Sequence, residues 1–246
     1  FYDLRLLDSS FTANQILGIG DNILVADSSS GKIFFSTLDS PKFTEHPDTF
    51  SGIRNFGEYD SLVSFTSGNK AYFFSSLLAL EDEFELPSEF TSFGAVGHYL
   101  DFIYSVQGDK IIKFTRDGTS LTASDWAQQP VISGTRSLAI DGNIFLLKED
   151  GKIHKFYKGT EQDFELSGLS LPLNSPSKIY TSINNSKLYV LDNGNNRLVV
   201  FEKDGSFVSD LKFLDYEISN VSDFWVNSSE DKVFIISGPR VYQLEL

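Results

Sequence analysis

The sequence predicts an all-β fold, a six-bladed β-propeller whose ring is closed by an N-terminal strand completing the last blade. Three observations carry that prediction. Aromatic residues make up 14% of the 246 positions and sit in short alternating runs, with almost no helical periodicity. One pattern, an apolar strand, a turn and an aromatic-rich strand, recurs six times. The two ends of the chain supply complementary parts of one blade.

The repeat fixes the blade period. The hairpins lie near 23–39, 62–76, 102–118, 143–159, 187–205 and 232–246 of a single domain spanning 1–246. Leu24, Val63, Ile103, Ile144, Leu188 and Val233 are equivalent, at spacings of 39, 40, 41, 44 and 45 residues. A four-stranded propeller blade needs about 40–45 residues. Before each hairpin runs an inner strand, starting at Ile16, Ile53, Phe93, Ser137, Lys178 and Asp223. After each runs an outer strand, as at Phe164–Leu169 and Phe207–Phe213. Alternating Val, Ile, Leu, Phe and Tyr give each blade two apolar faces. Ser75–Leu86, the one helix-length candidate, reads as strand and loop because of its Phe residues and the Pro87 that follows. The sixth repeat stops after its third strand at Leu246, and Tyr2–Leu7 supplies a spare strand that would pair with it and hide the edge.

Composition narrows the function classes. There is no Cys, hence no disulfide framework, thiolate metal site or cysteine nucleophile. A formal charge of −14 argues against nucleic acid and anionic membrane as partners. No run of about 18 apolar residues exists, so no insertion of this domain into a membrane is expected. Phe1 and the absence of Met predict a mature or excised piece of something longer. The expected location is extracytoplasmic or secreted, with tethering through a membrane segment outside this sequence as one form. The three His, at 46, 98 and 154, are not expected to converge on a metal, and no metal, cofactor or catalytic set is expected. No phosphate loop, dinucleotide motif or nucleophile elbow is present.

Ser175–Val208 resembles the NHL repeat. The matching features are Pro176, Val190, Asp192, the Gly194-Asn195-Asn196-Arg197 turn, Phe201 and Asp204-Gly205. Blade four keeps less of the motif, blade one keeps Asp27 without the Arg, and blades two, three and six keep the hydrophobic skeleton. The fourth and fifth blades are also similar to propeller portions of large membrane-anchored bacterial proteins with phosphatase-like domains. The resemblance implies a binding platform for protein, RNA or small ligands, and less often a metal-dependent lyase or a lactonase. It also implies that Asp192 and Arg197 form a structural charge pair across their turn.

The candidate ligand site is the channel mouth, where the inner strands begin. Arg54, Arg136 and Lys178 fall there at pseudo-equivalent places, with Gln15, Phe93 and Asp223. Converging cations could hold a carboxylate or phosphate. The alternative is that they pair with acidic loop neighbours such as Asp223, Asp192 or Glu149. The acidic run Leu80–Leu86 reads as a solvated edge, since it lacks calcium-loop spacing. Trp126 could stack on a sugar or a partner, or pack over a blade edge, whereas Trp225 is expected in the core or channel wall. The predicted function is a non-enzymatic ligand- or protein-binding module, monomeric, taking a protein or a small anionic ligand. The alternative is a lyase or lactonase with a divalent metal in the channel.

Overall fold

The computed structural model describes residues 1–59, 62–75, 79–90, 94–127, 133–214 and 218–246, without the side chains of residues 40, 41, 55 and 59. Tyr2–Asp3 is β1. Strands β2 to β5 are Gln15–Ile19, Asn22–Asp27, Lys32–Thr37 and Ser40–Glu45. Strands β6 to β9 are Arg54–Tyr59, Leu62–Ser67, Lys70–Ser75 and Leu80–Glu85. Strands β10 to β13 are Val96–Tyr99, Phe102–Gln107, Lys110–Asp117 and Ser120–Asp125. Strands β14 to β17 are Thr135–Ile140, Ile144–Lys148, Ile153–Tyr157 and Thr160–Gln162. Strands β18 to β21 are Pro176–Tyr180, Lys187–Asp192, Arg197–Glu202 and Phe207–Lys212, and β22 to β24 are Val221–Val226, Lys232–Ser237 and Arg240–Glu245. The only helical turns among the described residues are 3-10 turns at Leu4–Leu6 and Asn193–Asn195.

The arrangement is propeller-like, with successive antiparallel meanders around an axis. The repeat predicts six separate sheets, and the structure has five: four of four strands and one of eight. The eight-stranded sheet arises where the outer strands β9 and β13 meet in parallel at a single pairing, Glu85 with Ser120. Between sheets the packing is apolar. Phe145 and Leu147 of β15 meet Leu188, Val190, Val199 and Phe201 of the next sheet. Central strands such as β19 are buried on both faces, which is why they read as unbroken apolar runs.

Two strand predictions need correction. The predicted outer strand Phe164–Leu169 is displaced to β17, which starts three residues after the end of β16 at Tyr157, because Lys158 and Gly159 at φ 49° and 83° turn the chain back at once. Two positive-φ residues in succession make a tight hairpin turn. Phe164, Leu166 and Leu169 instead pack against the apolar cluster between this sheet and the next, Phe164 edge-on to Phe145. The closing strand is also shorter than Tyr2–Leu7. Only Tyr2 and Asp3 pair, with Val241 and Arg240 of β24. The Asp3 carboxylate accepts the Arg5 backbone N–H at 3.1 Å and starts the 3-10 turn that leads the chain out of the sheet.

Asp192 and Arg197 meet across the β19–β20 turn, with Nε to Oδ2 at 2.8 Å and both residues buried. Arg197 also donates to Asp210 at 3.1 Å and to the Leu171 carbonyl at 2.6 Å, while Asp192 accepts the Asn174 N–H at 2.7 Å. One pair thus binds three strands and the segment that crosses them. Removing one member of a buried pair leaves the other unpaired, at a cost of about 3–5 kcal/mol. Arg197→Met should therefore lower the unfolding free energy by about that amount in a denaturant titration, and a loss below about 1 kcal/mol would assign the pair no structural role.

Candidate functional site

The beginnings of the inner strands enclose a cavity of about 430 Å³ at one end of the channel. Arg54 of β6, Arg136 of β14, Lys178 of β18 and Asp223 of β22 all line it, with Gln15 of β2. Phe93 lies outside the described residues. The three cations do not occupy equivalent register positions, however. Strands β14, β18 and β22 each carry a β-bulge, between Thr135 and Ser137, Pro176 and Lys178, and Val221 and Asp223. Arg136 is the bulged residue, so its counterparts are Ser177 and Ser222, while Ser137 matches Lys178 and Asp223. A bulge adds one residue and re-aims a side chain, which is how Arg136 still reaches the mouth.

The mouth residues differ in how far they are already engaged. The Asp223 carboxylate accepts the Ile16 N–H of β2 at 2.9 Å, across 207 residues of chain, and pairs with Lys178. Gln15 donates to the Ile53 carbonyl at 3.0 Å and accepts the Phe56 N–H at 3.3 Å. Ser137 accepts the Ile179 N–H at 3.1 Å. Each of these side chains stitches one inner strand to its neighbour, so Asp223 is first a ring tie. Arg136 pairs with Glu149 of the adjacent hairpin loop at 3.3 Å, with both side chains more than half exposed. Such a solvated pair contributes little and is readily exchanged for a ligand. Arg54 is exposed, and its guanidinium has no ion pair among the described residues.

The ends of the inner strands enclose a second, smaller cavity of about 130 Å³ at the opposite end. Its walls include Glu58, Tyr180 and Trp225. The Tyr180 hydroxyl donates to Glu58 Oε1 at 2.8 Å. The Trp225 indole N–H lies beside both groups without hydrogen-bond geometry to either. Burial pushes the Glu58 carboxyl up to about 7, against the opposing pull of Tyr180, Trp225 and Lys178. Burial and the facing carboxylate hold the Tyr180 phenol well above its ordinary value. Gly18 makes room for this arrangement: a Cβ there would sit 2.2 Å from the Trp225 ring. Sequence reasoning missed Glu58 and Tyr180. The one signal was a carboxylate in an inner strand, in the run Phe56-Gly57-Glu58, at a position where three other blades place the apolar Leu17, Ile140 and Val226 and two place His98 and Thr181.

The remaining candidates are placed as follows. His46 is buried against Phe74, and His154 lies in β16 with Glu161 at 2.5 Å. His98 lies within β10, buried edge-on to Phe73. Burial lowers its imidazole to about 4. Among the described residues no group of three His, Asp or Glu side chains is placed to hold a metal. Trp126 packs edge-on against Tyr104 at 5.4 Å, over the blade edge. Only Phe84 is buried in the acidic strand β9.

No family model and no curated protein matches the chain. Solved structures do match over nearly its whole length. Virginiamycin B lyase from Staphylococcus aureus is 13% identical, covering 96% of this chain and 84% of its own, at a TM-score of 0.58. Kuenenia stuttgartiensis hydrazine synthase is 7% identical over 95% of both chains, at 0.65. Kluyveromyces lactis Hsv2 is 15% identical over 93% of this chain and 91% of its own, at 0.54. At these identities the likeness is one of fold, and it agrees with the propeller-like arrangement of the sheets.

The Glu58 carboxyl gives a pH prediction. The unfolded chain releases this proton near the ordinary value of 4.5, and the folded chain holds it to about 7. The folded state therefore binds more protons in that window, and stability falls as pH rises through it, by on the order of 3 kcal/mol in full. His98 acts oppositely, its contribution being lost as pH falls from 6.5 towards 4. Glu58→Gln removes only the first effect. The difference in melting temperature, variant minus wild type, should grow by several degrees between pH 4.5 and 8, at roughly 2–4 °C per kcal/mol. A difference independent of pH would contradict the assignment.

Proposed function

We propose that this chain is a six-bladed, NHL-like propeller acting as a non-enzymatic binding module that takes a small anionic ligand at the channel mouth. In this reading the eight-stranded sheet is two blades, β6 to β9 and β10 to β13, packed face to face through an apolar cluster and joined among the described residues by a single strand pairing, Glu85 with Ser120. The observation that carries the function is that Arg54, Arg136 and Lys178 line one cavity in a chain of net charge −14. Lys178 is committed to Asp223, Arg136 is held by an exposed loop carboxylate, and Arg54 is left to lead recognition. Guanidinium groups suit carboxylate and phosphate because their N–H groups match two oxygens at once.

The module is further proposed to act as a monomer outside the cytoplasm, as part of a larger bacterial protein. The Cys-free composition and the resemblance of the fourth and fifth blades support that placement. A lyase or lactonase with a divalent metal draws no comparable support, since its donor set has no counterpart among the described residues.

The test uses inorganic phosphate and citrate as probes, titrated calorimetrically at low ionic strength. At least one should bind saturably and weaken as salt is added. A charge-assisted hydrogen bond contributes about 1.5–3 kcal/mol, so Arg54→Ala should weaken binding by roughly tenfold or more. Arg54 is exposed, so the variant should fold as the wild type does. Absence of saturable binding to either probe, or equal binding by the variant, would overturn the reading.

A further inference from the structure

The smaller cavity at the other end of the channel has a chemistry unlike that of the mouth. Glu58 is the one ionisable carboxyl in its wall among the described residues, and Tyr180 and Trp225 form its aromatic floor. Tyr180 occupies Glu58 Oε1, and no described donor meets Oε2 with hydrogen-bond geometry. At the rim stand Asn184 and Ser228, both exposed. The Asn184 amide and the Ser228 hydroxyl have no hydrogen-bond partners among the described residues, and the Asn184 backbone is fixed by its N–H donating to Ser182 at 3.2 Å. A single opening thus offers a buried acceptor below and a free amide and hydroxyl above, between apolar walls from Ile140 and the aromatic pair.

We propose that Glu58, Tyr180, Trp225, Asn184 and Ser228 form a second binding site, for a small uncharged ligand bearing several hydroxyl groups. A hydroxyl both donates and accepts, so one group can give its proton to Glu58 Oε2 while others engage the amide and hydroxyl at the rim. Neutrality follows from the surroundings. No described cation lines the cavity, and its carboxyl is held partly protonated near neutral pH, so it offers a charged ligand no full counter-charge. Aromatic walls suit the C–H faces of a polyol or sugar and exclude water from the polar contacts. Size sets the class: about 130 Å³ is the share of roughly four liquid waters, which fits a triol or a single hydroxylated end of a larger molecule. The site is distinct from the anion site, because no wall residue is shared between the two cavities.

The chain has two Trp, so Trp126→Phe leaves Trp225 as the sole indole reporter of this cavity. In that background, titration with glycerol and with erythritol should change the Trp225 emission saturably, at millimolar concentrations. Asn184→Ala should weaken the response several-fold, while Arg54→Ala should leave it unchanged, which separates this site from the mouth. Because Asn184 is exposed, its variant should fold. Three results would overturn the proposal: no saturable change with either polyol, an unchanged response in Asn184→Ala, or saturation by methylammonium in place of the polyols.

Discussion

Among the described residues neighbouring inner strands share no hydrogen-bonded ladder, and the rest of the structure depends on how that gap is bridged. Each sheet satisfies its own backbone through an antiparallel meander, but nothing in that pairing joins one sheet to the next around the axis. Apolar packing between faces supplies attraction without direction. Direction comes from polar side chains at the start of the inner strands, which reach sideways to a neighbour's backbone: Gln15 to Ile53 and Phe56, Ser137 to Ile179, Asp223 to Ile16. The last of these joins the final inner strand to the first and so closes the ring on its inner side, while β1 and β24 close it on the outside through only two residue pairs.

The same ties shape the chemistry of the channel. Burying a carboxylate as a ring tie is costly without a partner, and Lys178 supplies the ion pair to Asp223. That commitment leaves the mouth with more positive than negative groups, since Arg136 is only loosely held and Arg54 is not held by any described carboxylate. The other end has a carboxyl without such a partner. Glu58 has a phenol donor and a distant Lys178, and its proton affinity rises accordingly. The two ends of one channel therefore differ because one carboxylate is paired with a lysine and the other is left to hold part of a proton.

Much of this was legible in the sequence. Spacings of 39 to 45 residues between Leu24 and Val233 identified the meanders, and Pro176, Asp192 and Arg197 located the blade with the tightest turn chemistry. The gathering of Arg54, Arg136 and Lys178 at one cavity also follows from strand starts. What was hidden depends on details below the period of the pattern. A bulge leaves no composition mark, so Arg136 looked equivalent to Lys178 although it stands one place away. Lys158-Gly159 could end a strand or start a turn, and the tight turn won because it pairs β17 at once. The single parallel pairing of Glu85 with Ser120 depends on how two outer strands lie in space. Glu58 carried only a faint signal, a carboxylate within an inner strand, and only the converging strands reveal that it faces Tyr180.

The ring-tie account is tested most directly by amide hydrogen exchange at Ile16 in Asp223→Ala. If the Asp223 carboxylate closes the ring, the Ile16 amide loses its acceptor, and its exchange should accelerate by at least about tenfold, as expected for losing a hydrogen bond to a charged group. Amides in the ladder between β19 and β20 should keep their protection, since that sheet pairs within itself. An Ile16 amide that stays as protected as in the wild type would contradict the account.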